Sequence, residues 1–145
     1  MGLTGLWIVL GTLAAGLAVG ALLRLREGRI RPARAAETGA AESPLPQRVA
    51  DAIGPSVTLV QISTTFCSPC RHAHARLTAL AESNDGLRHV DIDVTHEPEI
   101  AHQLGVLRTP TTIAFDADGA ELLRVGGVPD TTSLLESLRP HLAPA

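Results

Sequence analysis

Cys67 and Cys70 are the only cysteines in a chain of 145 residues, and just two residues separate them. A lone pair at that spacing points to thiol chemistry. Upstream, Val57-Thr58-Leu59-Val60-Gln61-Ile62 is apolar and β-branched enough for a buried strand, and residues 73–81 read as a helix. The pair therefore falls where a strand ends and a helix begins. There Cys67 would meet unsatisfied backbone N–H groups and the positive end of the helix dipole, both of which favour thiolate over thiol. In such a setting a cysteine pKa drops from ~8.5 to ~7 or below, which makes the sulfur a nucleophile. Cys70, one turn further in, is the expected shielded, resolving thiol. Pro69 is tolerated between them because first-turn N–H groups have no helical partner to lose.

At these residues the chain resembles the thioredoxin superfamily, and the resemblance runs from about Val57 to Leu138. It takes in an aromatic residue before Cys-x-Pro-Cys, a second strand at 88–94 and a Thr109-Pro110 step opening a third strand. A hairpin through Asp116-Ala117-Asp118-Gly119, a Gly126-Gly127 pair and a closing helix complete it. The resemblance implies an α/β thioredoxin fold, a mixed four-stranded sheet flanked by helices, preceded here by a single transmembrane helix. Thioredoxins proper carry one more N-terminal strand, for which no segment stands out. Only seventeen residues separate Cys70 from Arg88, which leaves no room for an inserted helical domain.

The resemblance also implies a thiol:disulfide oxidoreductase in which Cys67 attacks a substrate disulfide and Cys70 resolves the mixed disulfide, leaving a redox-active Cys67–Cys70 disulfide. Thr109-Pro110 matches the family's cis-proline, which faces the dithiol, while the backbone before it pairs with substrate. Ser68 and Pro69 resemble the reducing members' motif, so a potential nearer about −270 mV than about −120 mV is expected. Phe66 stands where the family has Trp, placed to shield the disulfide and contact substrate. Two positions depart from the pattern. Gln61 replaces a buried Asp that accepts the resolving thiol's proton, and His89 replaces its Lys partner. With an ordinary pKa near 6.5, His89 becomes a candidate to assist Cys70 deprotonation, against the plainer reading of an exposed strand histidine. The implied partners are protein disulfides and an electron donor such as a thioredoxin-reductase-like protein, with no metal or organic cofactor.

The N-terminal stretch is of another kind. Residues 3–23 carry no charge, and at ~1.5 Å per residue they reach roughly 31 Å, enough to cross a hydrocarbon core of about 30 Å. Trp7 lies near one end, where an interfacial indole is favoured. A cleaved signal peptide competes, with Ala33-Arg34-Ala35 as a loose cleavage site. No basic side chain precedes the apolar run, however, which favours an uncleaved lipid-embedded anchor. Arg24, Arg26, Arg29, Arg31 and Arg34 supply five of the twelve basic side chains. By the positive-inside rule they place the N-terminus out and the dithiol domain in the cytoplasm. The alternative is an extracytoplasmic domain acting on exported proteins, with the arginines bound to anionic headgroups. Gly16 and Gly20 form a GxxxG, a weak dimerisation signal in so small-residue-rich a span; a monomer is expected. The expected organisation is an anchor over 1–26, a flexible linker over 27–44 and the folded domain over 45–145.

In residues 45–145, seven arginines against twelve carboxylates leave a formal charge of −5, which disfavours nucleic acid. With Phe66 and Phe115 its only aromatics, the core must be aliphatic. The expected elements are helix 47–53, strand 57–62, helix 67–83, strand 88–94, helix 98–104, strands 111–115 and 121–125, and helix 131–142. Two other function classes fit the motif. Cys67, Cys70 and His74 fall within about 60° of one helix face, a Cys/His set for zinc or copper(I), with His72 nearby. Haem attachment is excluded because Arg71 follows Cys70. A redox-inert structural disulfide would close only a four-residue loop and add little stability.

Overall fold

The computed structural model describes residues 2–26, 28–33 and 44–142. Helix α1 runs over Gly2–Arg26, and none of its apolar span Gly5–Leu25 is buried against the rest of the chain. A helix that is apolar on every side and packs on nothing has no globular solution to its own surface.

The folded part is a five-stranded sheet in the order β1-β5-β4-β2-β3. Its centre is β2, Val57–Ser63, in which every residue is buried. It pairs in parallel with β3, Leu87–Asp93, and antiparallel with β4, Thr111–Phe115; β5, Glu121–Gly126, follows β4 through a hairpin. Because side chains alternate across a strand, β2 feeds two cores. Val60 and Ile62 join Ile113, Phe115, Ile92 and the helices α2 (Gln47–Ala52) and α4 (Pro98–Gln103) through Val49 and Ile100. Val57 and Leu59 join Leu77 of α3 (Ser68–Glu82) and Leu134 and Leu138 of α5 (Thr131–Leu138). Gln61 follows the second set, so its amide points beneath α3.

The sheet has five strands where four were expected. The additional one, β1 at Ile30–Pro32, comes from the stretch read as linker and lies antiparallel on the outer edge of β5, Ile30 opposite Val125. The Gly28 N–H donates to the Gly126 carbonyl at 2.9 Å and the Ala33 N–H to Leu122 at 3.0 Å, closing the ladder at both ends. Ile30 packs against the α3/α5 core. Pro32 is acceptable there because an edge strand leaves one side of its backbone unpaired. The rest of the expected linker, 34–43, lies outside the described residues.

Candidate active site

The loops that leave β2 and β3 and the loop that enters β4 gather at one end of the sheet. The register Ile62 opposite Thr111 places Pro110 beside the chain leaving β2 for the two cysteines. The Thr109-Pro110 peptide is cis, and Pro110 is buried. The Thr64 and Thr109 hydroxyls meet at 3.4 Å, and the Gly127 N–H donates to the Pro110 carbonyl at 2.7 Å. The Gly126-Gly127 pair thus backs the proline loop.

Cys67 and Cys70 are joined in a disulfide, S–S 2.00 Å. Cys67 is the N-cap of α3, and its sulfur accepts the Cys70 N–H at 3.2 Å. The backbone donor of the first turn is therefore aimed at the outer sulfur. Cys67 is half-buried, whereas Cys70 retains 4% exposure. Ser68 and Pro69 are exposed on the helix start. Phe66 is 95% exposed, so it packs on no core and is free to meet another molecule.

Beneath α3, Gln61 is fully buried. Its Nε2 donates to the Cys70 carbonyl at 3.0 Å, which leaves Oε1 to face His89 Nε2 at 3.3 Å. An amide oxygen only accepts, so the imidazole proton sits on Nε2. His89 Nδ1 then accepts from the Thr78 hydroxyl at 3.1 Å. Burial, with the neighbouring His74 adding to it, lowers the His89 pKa from 6.5 to about 4, so the ring is neutral near pH 7. The expected pair Gln61/His89 is brought together under the dithiol, and His89 stands one amide away from the Cys70 backbone.

His74 does not turn toward the sulfurs. Its Nδ1 lies 3.7 Å from Asp91 Oδ2 and its ring meets His89 edge-on at 5.0 Å between centroids. Among the described residues no three His, Cys, Asp or Glu side chains stand close enough to share a metal ion. Cys67, Cys70 and His74 are thus not assembled as a ligand set.

Sequence reasoning missed the threonines that hold the loop before Cys67. The Thr65 N–H donates to Thr95 Oγ1 at 2.8 Å, and the Thr65 hydroxyl to Asp93 Oδ2 at 3.0 Å. The Thr95 N–H donates to Asp93 Oδ1 at 2.8 Å. Hydrogen bonding to Thr95, and secondarily to Thr65, holds the Asp93 carboxyl below its ordinary value. The signal was Thr65 beside the motif, whose partners lie about thirty residues on.

A cysteine pair capping a helix beside a cis-proline loop defines a dithiol–disulfide exchange protein. The thioredoxin family profile matches residues 44–139. A thioredoxin of Chlamydia muridarum is 34% identical over 92 residues, 63% of this chain and 89% of that protein. Thioredoxin 1 of Nostoc sp. is 30% identical over 102 residues, 70% and 92% of the two chains. A mutant thioredoxin of Halobacterium salinarum superposes with a TM-score of 0.55 at 26% identity, covering 62% of this chain and 78% of its own. The chain belongs to the thioredoxin family. It is a thiol:disulfide oxidoreductase, with protein disulfides as its substrate class and reductases as its general class of partner.

Proposed function

We propose that the chain is a membrane-anchored reductase of protein disulfides working through Cys67 and Cys70. The observation that carries this reading is the asymmetry of the pair: the outer sulfur of Cys67 caps α3 and receives a backbone N–H, while Cys70 is 4% exposed behind it. Such a donor stabilises a thiolate as it does any anion at a helix start. In the dithiol form, Cys67 attacks one sulfur of a substrate disulfide and expels the other as thiolate. Cys70, deprotonated, then attacks Cys67 Sγ and expels the substrate's second thiolate. Two electrons pass to the substrate, which leaves as two thiols, and the enzyme retains the Cys67–Cys70 disulfide. No cofactor beyond that pair takes part. Phe66, Ser68, Pro69 and the Thr109-Pro110 backbone form the face that meets substrate, and a thioredoxin-reductase-like donor restores the dithiol.

The apolar helix is the anchor, supported by its length and its lack of any packing partner in the folded domain. Arg24 and Arg26 at its end, with Arg29, Arg31 and Arg34 beyond, favour a cytoplasmic domain. The test of the chemistry is insulin-disulfide reduction. Cys67→Ser abolishes turnover, and Cys70→Ser accumulates mixed disulfides with substrate; retained turnover in Cys67→Ser refutes the assignment. The test of topology is labelling of Cys67 by a membrane-impermeant thiol reagent after mild reduction. Protection until lysis supports a cytoplasmic domain, and labelling of intact cells places it outside.

A further inference from the structure

Two hydrogen bonds connect the end of the anchor to the active site. The Gly28 N–H is held by the Gly126 carbonyl at 2.9 Å, and the next residue, Gly127, donates to the carbonyl of the cis-proline Pro110 at 2.7 Å. Helix α1 ends at Arg26, only two peptide steps before Gly28, a path of at most about 7 Å. The anchor therefore leaves the domain at the sheet end that carries the dithiol. The opposite end, where the Asp116–Ala120 hairpin turns, lies beyond β4, whose five residues add roughly 17 Å.

Three further features cluster at the near end. Phe66 and Leu107 are 95% and 98% exposed, on the loops before Cys67 and before Pro110. Arg108, next to Leu107, folds over Gly126 and donates to the carbonyl that also receives Gly28, at 3.4 Å. Arg29 and Arg31 are exposed along the entering strand. The active end thus offers two apolar side chains and three guanidiniums beside the point where α1 leaves the domain. A chain segment already lying along the bilayer surface is in place.

We propose that the anchor turns the dithiol toward the bilayer, and that its substrate is a disulfide in the juxtamembrane segment of an integral membrane protein. This rests on the anchoring argued above. The fitting occupant is a peptide strip with apolar residues for Phe66 and Leu107 and acidic residues or lipid phosphates opposite the arginines.

The test uses the full chain in proteoliposomes with two single-span probe peptides. One carries an intramolecular disulfide loop directly beside its span, and the other carries the same loop beyond a Gly/Ser spacer of about 30 residues. The juxtamembrane loop should be reduced severalfold faster. Inserting about 20 Gly/Ser residues after Arg26 of the enzyme, a reach of roughly 25 Å, should erase the preference while insulin reduction persists, which shows the variant folded. Equal rates, or faster reduction of the distant loop, by a chain that floats with the vesicles overturn the orientation. Insulin reduction that is lost in vesicles and restored by the insertion also overturns it, since lipid alone would then cover the site. A chain that does not float with the vesicles overturns the anchor itself, and this proposal with it.

Discussion

The side-chain amide of Gln61 donates to the backbone carbonyl of Cys70 at 3.0 Å from a fully buried position. Its oxygen at the same time accepts from His89, so both ends of the amide are satisfied and the first turn of α3 is tied to β2. Gln61→Leu keeps the bulk but leaves the His89 N–H without an acceptor. A buried donor left unpaired costs about 1 to 3 kcal/mol. The expected loss is of that size, measured as a lowered urea midpoint. An unchanged midpoint would mean that the amide does not hold this end of the sheet.

His89 sets an acid limit on stability. Its folded pKa, about 4, lies below the ordinary 6.5 because burial, reinforced by His74, disfavours the imidazolium. Between those values the unfolded chain binds a proton that the folded chain does not, so stability falls as pH falls. The contribution is fully present above about pH 6.5 and lost by about pH 4. The groups facing the ring are Gln61 on β2, Thr78 and His74 on α3, and Asp91 of its own strand, which lies against His74. Urea midpoints across this window should decline in the wild type, and His89→Gln should flatten the decline. A slope equal to wild type in that variant would assign the effect elsewhere.

The parts of the site readable from sequence were those that local chemistry alone dictates. The two cysteines, the strand before them and the Thr109-Pro110 step are contiguous signals, and each stands where it was expected. Strand β1 was not readable, because three residues containing a proline carry no period and become a strand only by pairing with β5, about ninety residues away. The Thr65, Asp93 and Thr95 lock was invisible for the same reason: its bonds join two loops set side by side by the parallel pairing of β2 and β3. Gln61 and His89 were found as departures from a family pattern. The tautomer and the lowered pKa needed Thr78 and His74, which periodicity cannot place.

Thr95 is the hub of that lock, accepting the Thr65 N–H and donating its own to Asp93. Thr95→Val preserves shape and the backbone donor but removes the hydroxyl. A net hydrogen bond is worth roughly 1 kcal/mol, so exchange of the Thr65 amide should speed up severalfold. The Asp93 pKa should also rise toward its ordinary value, since hydrogen bonding to Thr95 is the leading cause that lowers it. Both are read by NMR, and an unmoved Asp93 titration would show that the Thr95 N–H and Thr65 hold the carboxylate without the Thr95 hydroxyl.

Gly28 holds the start of β1, the strand that follows helix α1, against the end of β5. Its φ of +71° lies in the left-handed region, and a Cβ there would meet the Val128 carbonyl oxygen at 2.8 Å. Left-handed backbone costs a residue with a side chain roughly 1 to 2 kcal/mol, and the clash with fixed backbone adds to that. Gly28→Ala should therefore release β1 from β5 while the other four strands persist, because their pairing and both cores lie elsewhere. Amide exchange at Arg31 and Ala33 should accelerate by about tenfold or more, at ~1.4 kcal/mol per factor of ten, with exchange in β2 unchanged. The same variant should reduce insulin at the wild-type rate and lose its preference for a juxtamembrane disulfide. If strand exchange accelerates but the preference stays, the docking of β1 is not what orients the dithiol.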